Sequence, residues 1–340
     1  MSEIHEAISS TAHSADPQCM FQQRTDPFRH ELLVHCYRIL GSIEDAEDGL
    51  QETLLKAWMN FDSLKDQSAL RAWLYKIATN VSLNALTHRK SRSFPTLLQP
   101  PSDPHSPLSA PSNEFEWLDP LPNFYLEAFD GNPEQRYEAR EKVTLAFLAA
   151  LQHLPGRQRA VLILCDVLEW SAAEAATALE TSVTAVNSAL QRARATLKKH
   201  QQDGGADTAH DPNSPELAGL LTRYVEAWET ADLGKLMSLL HEDAKLTMPP
   251  YPVWFSGRAD IQAFFARVVF AGRQPDDFHL LPTWSNGRPA FVLFQRGADG
   301  NSSLVALHIL TVRAGKISQL DDYLAEDTAL FARFKRSLSR

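Results

Sequence analysis

The sequence predicts a multidomain chain: two all-α modules, a helical bundle and a helix-turn-helix, followed by an α+β cone. Three observations carry this expectation. Apolar residues recur at helical spacing through 26–92 and again through 134–200, with a proline- and serine-rich stretch, 93–133, between them. A short tight turn joins two helices within Ser171 to Lys199. Beyond a polar hinge at 201–214 the pattern changes to helices and then strands with period-two alternation, over 215–340.

The totals permit this division. At 340 residues, 44% hydrophobic and 22% charged, the chain can bury several cores. No apolar run approaches membrane-spanning length, and MSEIHEAISSTAHSAD lacks the basic start and apolar stretch of a signal peptide, so a cytoplasmic protein is expected. Cys19, Cys36 and Cys165 lie far apart without a CxxC, which indicates neither a disulfide framework nor a metal site. No cofactor is expected. The net charge of −9 argues against a chain that coats nucleic acid along its length. The charge is segregated: Ile43 to Glu52 is acidic, whereas Arg71 to Arg92 and Thr181 to His200 carry bases and no acid. That favours two discrete DNA-facing surfaces and an acidic surface for a protein partner.

Residues 1–25 are polar and aperiodic and read as a disordered tail. From Phe28, the positions Leu32, Leu33, Cys36, Ile39 and Leu40 make one helix, ended by Gly41. Ser42 with Asp45 opens a second, through Ile43, Ala46, Leu50, Leu54 and Ala57. Glu44, Asp45, Glu47 and Asp48 crowd its first turns, which suits the helix dipole but exceeds what capping needs. Phe61 to Ser68 is a polar loop. A third helix, RAWLYKIATNVSLNALTHRK, turns Leu70, Trp73, Leu74, Ile77, Ala78 and Val81 inward, leaving Arg71, Lys76, Asn80, Asn84, His88, Arg89 and Lys90 on an outer face.

Glu134 to Leu154 reads as an amphipathic helix closing at Pro155, and Arg157 to Leu168 as the next. Ser171 and Glu174 form a capping box; Glu180–Thr181 makes the turn, where glycine is frequent, and Ser182 caps the final helix. Val183, Val186, Leu190, Ala193 and Leu197 share its inner face. Thr184, Asn187, Ser188, Gln191, Arg192, Arg194 and Lys198 share the other, whose amides and guanidinium groups suit base edges and phosphates in a DNA major groove.

These stretches carry a resemblance. ELLVHCYRILGSIEDAEDGLQETLLKAW with RAWLYKIATNVSLNAL is similar to region 2 of bacterial sigma factors of the extracytoplasmic-function (ECF) kind. LPGRQRAVLILCDVLEWSAAEAATALETSVTAVNSALQRARATL is similar to their region 4. The resemblance implies a non-enzymatic subunit that binds core RNA polymerase, recognises −35 and −10 promoter elements and promotes promoter opening. It implies that Asp45, Asp48, Gln51, Glu52, Lys56 and Trp58 dock on a coiled coil of the polymerase largest subunit, with the flap region as a further contact. It places Phe61, Arg71, Trp73, Lys76, Asn80, Asn84, Arg89 and Lys90 at the −10 element, where an extruded base is recovered by stacking and phosphate neutralisation. It places Thr184, Asn187, Ser188, Gln191, Arg192, Arg194 and Lys198 at the −35 element. Asn84 stands where the family usually carries Asp, and Gly49 where an aliphatic is common.

Within the linker, EWLDPLPNFY is too apolar for a spacer and resembles a WLEP-type motif of a sigma subgroup that carries a C-terminal extension. Trp117, Leu118, Pro120 and Pro122 are expected to dock elsewhere on the molecule. After the hinge, helices over Leu217 to Ala231, Leu233 to Leu240 and Arg258 to Val269 precede a meander. Its order is similar to SnoaL-like, ketosteroid-isomerase-like domains. Trp228, Met248, Trp254, Phe255, Phe264 and His308 are candidates to line an apolar pocket or core. His241, His279, Asp260, Asp321 and Asp322 are further acid–base groups, but spacing selects no pair among them. A regulatory role in cis, by contact with the sigma modules, is the expectation for this domain. Two other readings stay open: a ligand-sensing helix-turn-helix regulator, and a cyclase or isomerase tethered to a DNA-binding module. A separate anti-sigma partner is not legible.

Overall fold

The computed structural model describes residues 16–64, 66–87, 92–112, 114, 116–127, 144–201, 214–297, 299–325 and 330–334. The first described element is α1 (Pro17–Thr25), which corrects the expected disordered tail over its last third. Asp16 caps it by accepting from the Gln18 amide, and Pro17 supplies a pre-set φ at the first position. One aromatic pins it: Phe21 is buried, edge-on to Trp58 and Phe61 with ring centroids 5.3 and 5.1 Å away.

Helices α2 (Arg29–Leu40), α3 (Ile43–Met59) and α4 (Leu70–Thr87) form the first module. Gly41 at φ +75° ends α2, and Ser42 caps α3 through the Asp45 amide. Leu32, Val34, Ile39, Ala46, Ala57, Leu74 and Ala78 close the core between them.

The described part of the stretch expected as an extended linker is a strap bonded to the rest of the chain at several points. Arg92–Ser93 pairs in parallel with Glu116–Trp117. Between them the strap crosses the cone: Trp254 Nε1 donates to the Gln99 carbonyl (2.8 Å), and Arg267 Nη2 to the carbonyls of Pro104 and Ser106 (both 2.7 Å).

The second module comprises α5 (Leu145–Gln152), α6 (Gly156–Leu162) with a π turn at Ile163–Val167, α7 (Ala172–Ala178) and α8 (Val183–Gln201). The early part of the helix expected from Glu134 lies outside the described residues, as does nearly all of the hinge at 201–214. The Ser171–Glu174 capping box is present in both directions, and Ser182 Oγ accepts from the Ala185 amide.

In the cone, α9 (Pro215–Glu229), α10 (Leu233–Leu239) and α11 (Arg258–Phe264) cover a sheet. Its strands are β1 (Leu240–Thr247), β2 (Trp254–Ser256), β3 (Phe278–Ser285), β4 (Arg288–Arg296), β5 (Ser302–Arg313) and β6 (Lys316–Leu324), in the order β2-β1-β6-β5-β4-β3. The β1–β6 pair is parallel and the others antiparallel. Both faces of the sheet are covered. Phe291, Leu293, Leu310 and Leu320 turn to the cone helices, whereas Ala290, Val292, Leu307, Ile309 and Tyr323 join one core with α2, α3 and α5. A helical stretch at 330–334 adds Leu330, Phe331 and Phe334 to that shared core.

Candidate nucleic-acid interface

Helix α8 presents its polar stripe as the sequence predicts. At about 100° per residue, Thr184, Asn187, Gln191 and Lys198 fall within one narrow arc, and all are exposed. Arg192 is exposed beside them and Ser188 half-buried. Arg194 is exposed but bound bidentately to Asp166, at 2.6 and 3.0 Å. Val186, Ala193 and Leu197 are buried as expected. Val183 is not: at the first turn and the edge of the arc, it is 44% exposed.

On α4, Lys76, Asn80 and Asn84 follow one another at intervals of four, so they make one continuous stripe. Asn84 is exposed and Asn80 half-buried. Arg71 forks onto Glu31 (2.8 and 3.0 Å) and lies over the Tyr75 ring. Trp73 is half-buried against the core of the first module, and Phe61 is held by Phe21 with Arg24 over its ring at 5.8 Å. Arg89 and Lys90 lie outside the described residues. The stripe faces a neighbour: Lys76 Nζ is 3.1 Å from Glu180 in the helix-turn-helix, and Tyr75 meets Trp170 edge-on at 6.0 Å.

The outer face of α3 carries Asp48, Gln51, Glu52 and Lys56, all exposed, with Glu52 and Lys56 paired at 2.7 Å. Leu55, Trp58 and Met59, between 40% and 74% exposed, extend it as an apolar patch. Asp45 departs from the expected set: its carboxylate is buried and bound to Arg92 at 2.7 Å, so it faces the strap rather than solvent. The neighbouring Glu47 is also engaged, by Tyr125 Oη (3.0 Å) and Arg333 (2.9 Å). A cleft of about 220 Å³ lies beside these groups, between Arg29, Leu33, Leu50, Gln51 and Tyr125.

The WLDPLP motif docks, and the residues that receive it are ones the sequence reading missed. Leu118 and Leu121 are fully buried, whereas Trp117 is half-buried. The β3–β4 turn, Asn286-Gly287, grips the strap: Asn286 Oδ1 accepts from the Leu121 amide (2.7 Å), and its own amide donates to the Leu121 carbonyl (2.9 Å). Its Nδ2 donates to Tyr37 Oη of α2 (2.9 Å), which donates to the Asp119 carbonyl (2.6 Å). Tyr323 Oη of β6 donates to the Leu118 carbonyl (2.9 Å). Burial raises the pKa of both tyrosines well above the ordinary phenol, so each hydroxyl keeps its proton. The signal available in sequence was the Asn-Gly dipeptide, legible as a hairpin turn. Its positive φ values, +50° and +74°, confirm that turn, but nothing local shows that the asparagine amide reaches three segments.

A second tie joins the two helical modules. Arg159 of α6 is 3% exposed and carries its guanidinium to carbonyls rather than to an acid. Nη1 reaches the Ile39 carbonyl at the end of α2 and Gln152 Oε1 (2.8 Å); Nη2 reaches the Leu154 and Gln152 carbonyls. Burial lowers its pKa to about 10, still charged at neutral pH.

Inside the cone, Trp228, Met248, Phe255 and Phe264 pack into one core, and Trp254, outside that cluster, is bonded to the strap. His308 is fully buried there. Its Nδ1 is 2.7 Å from Tyr224 Oη, and its Nε2 is 3.2 Å from Asp322 Oδ1 without the alignment of a hydrogen bond. Burial lowers the His308 pKa to about 3; burial and then the Asp321 charge raise that of Asp322 to about 8. Burial thus pushes both groups toward their neutral forms. Of the other acid–base groups, His241 pairs with Asp243 and His279 with Glu229. Among the described residues no cluster suits a metal ion, and no helix is long and apolar enough to cross a membrane.

Three known families match parts of this chain. Residues 27–92 match the Sigma-70 region 2 family, 144–197 the Sigma-70, region 4 family, and 221–320 the SnoaL-like domain. The ECF RNA polymerase sigma factor SigG of Mycobacterium tuberculosis is 43% identical over 315 residues, 92% of this chain and 83% of that protein. SigW of Bacillus subtilis is 26% identical over 55% of this chain and 91% of its own length. The crystal structure of the M. tuberculosis extracytoplasmic function sigma factor SigJ superposes with a TM-score of 0.58, at 22% identity, covering 91% of this chain and 98% of that one. It shows the same overall fold. With region 2, region 4 and the appended cone in that order, the chain belongs to the ECF sigma factors and is an alternative sigma factor with a C-terminal SnoaL-like domain.

Proposed function

We propose that this sigma factor works as an address-giver held shut by its own C-terminal domain. The exposed face of α3, Asp48, Gln51, Glu52, Lys56 and Trp58, docks on core RNA polymerase. The α8 stripe reads the −35 element, and the α4 stripe, with Phe61, opens the −10 element. The chain performs no chemistry; binding energy positions polymerase and separates strands. Its place of work is the cytoplasm, where polymerase is. His308 and Asp322 are buried beside Tyr224 and Trp228, closed off from solvent, which supports a structural and regulatory role for that domain.

The observation that carries the regulatory part is a distance. Elements about 25 base pairs apart stand about 85 Å apart at about 3.4 Å per base pair. Here Lys76 of the −10 stripe and Glu180 of the helix-turn-helix are 3.1 Å apart. The two modules must separate before both elements are held. The strap, Arg159 and the cone oppose that separation, because each bridges the first module to another part of the chain. Reconstituted transcription tests both halves. Reversing Asp48 and Glu52 to lysine should cut recovery of core polymerase, and unchanged recovery removes α3 from the interface. Asn286→Ala with Tyr323→Phe should raise transcription by freeing the strap; equal output from variant and parent rules out restraint by the cone.

A further inference from the structure

We propose that Glu180 acts as a built-in substitute for a DNA phosphate on Lys76, so that the turn of the helix-turn-helix competes with the −10 strand for the α4 stripe. The inference rests on the reading of α4 as the −10 face. Glu180 occupies the tight turn between α7 and α8 with φ +50°, a left-handed conformation that glycine takes freely and a glutamate takes against strain. The local fold would be better served by glycine. What the glutamate adds is a carboxylate, and the structure places it 3.1 Å from the ammonium of Lys76 in the other module. The carboxylate offers the ammonium what a phosphate oxygen would: an anionic acceptor at hydrogen-bond range.

The surroundings keep the two in register. Tyr75, next to Lys76, meets Trp170 edge-on. One face further along α4, Leu83 and Leu86 approach so closely that a Cβ on Gly156 of α6 would stand 3.3 and 3.2 Å from them. Helix α6 therefore lies against α4, and the helix-turn-helix that follows brings Glu180 over the one amine of the stripe between Arg71 and Asn84. The Lys76 and Glu180 side chains are 36% and 76% exposed, so the pair is screened by salt and modest in strength. It trims the engagement of DNA by a few-fold; it does not forbid it.

The test uses the full chain, with Cys19 and Cys165 replaced by serine and spin labels at Asp62 and Lys199. Glu180→Gly and Glu180→Gln should each enlarge the long-distance population two- to five-fold at low salt, and the difference should vanish near 0.5 M salt, where screening shortens to a few ångströms. Only the glycine variant should also raise the thermal midpoint, since it alone relieves the turn. Affinity for an oligothymidylate of about 20 nucleotides, a probe for a basic single-strand groove, should tighten two- to five-fold in both variants but not in a Lys76→Gln background. Unchanged distances and affinity with Lys76 present overturn the proposal. If distances shift while Lys76→Gln alone leaves DNA affinity untouched, the latch stands and the −10 assignment of α4 falls.

Discussion

The guanidinium of Arg92 lies 2.7 Å from the carboxylate of Asp45, with both side chains at least 86% buried. The first residue of the strap thereby neutralises an acid in the first turn of α3, and Arg92 also donates to the Trp117 carbonyl. Asp45→Ala removes the nearer counter-charge of that cation, leaving Glu116 at 3.8 Å, and should cost on the order of 2 kcal/mol in urea unfolding. Asp45→Ala combined with Arg92→Met should cost less than Asp45→Ala alone. A double variant less stable than the single one would contradict the pairing.

Arg159→Met removes the charged donor that holds the Ile39 carbonyl. Hydrogen bonds from charged groups contribute about 1.5–3 kcal/mol, so the variant should be less stable by on the order of 3 kcal/mol. Small-angle scattering should show a larger radius of gyration, because α6 loses its tie to α2. A destabilised variant of unchanged dimensions would confine Arg159 to its own module.

Gly49 lies in the middle of α3, where glycine is the poorest residue after proline. A Cβ there would meet Cys36 Sγ and Leu40 Cδ1 at 3.6 Å, ordinary contact distances. Gly49→Ala should therefore stabilise the chain by about 0.5–1 kcal/mol, read as a rise in the unfolding midpoint.

The cone core gives a pH dependence of definite sign. Asp322 holds its proton up to about pH 8 when folded, against 3.8 ordinarily, so its contribution is full below pH 4 and is lost as pH rises through 8. His308 falls from 6.5 to about 3, so its contribution is present above 6.5 and lost as pH falls toward 3. Between pH 4 and 6.5 the two oppose each other; from 6.5 to 8 only Asp322 acts. Thermal midpoints should thus decline from pH 6.5 to 8, and Asp322→Asn should flatten that decline. The same slope in the variant would assign the effect elsewhere.

Local elements were legible because their causes are local. Ser171 and Glu174 cap each other three residues apart, Gly41 ends α2, and Ser182 caps α8. The α8 stripe needs only helical periodicity. What escaped depends on partners distant in sequence. Asp45 reads like Asp48 in the chain, and it is Arg92, 47 positions away, that its carboxylate meets on turning inward. Phe21 sits in a polar stretch whose composition suggests no order, yet one aromatic beside Trp58 and Phe61 suffices to seat a helix. Arg159 reads as a surface base among Arg157 and Gln158; its burial follows from the end of α2, 120 positions upstream. The proline-rich strap looked like a spacer because many of its bonds are accepted by main-chain carbonyls, such as those of Gln99, Pro104 and Leu118, which every sequence possesses.

The sheet of the cone has no water-facing side where it meets α2 and α5. Ala290, Val292, Leu307, Ile309 and Tyr323 would form a greasy plate if residues 214–340 were made alone. During synthesis the helical modules leave the ribosome first, so the cone emerges with its lid already waiting. Cut free as a fragment, it should self-associate or precipitate, and its solubility depends on the half of the protein that precedes it.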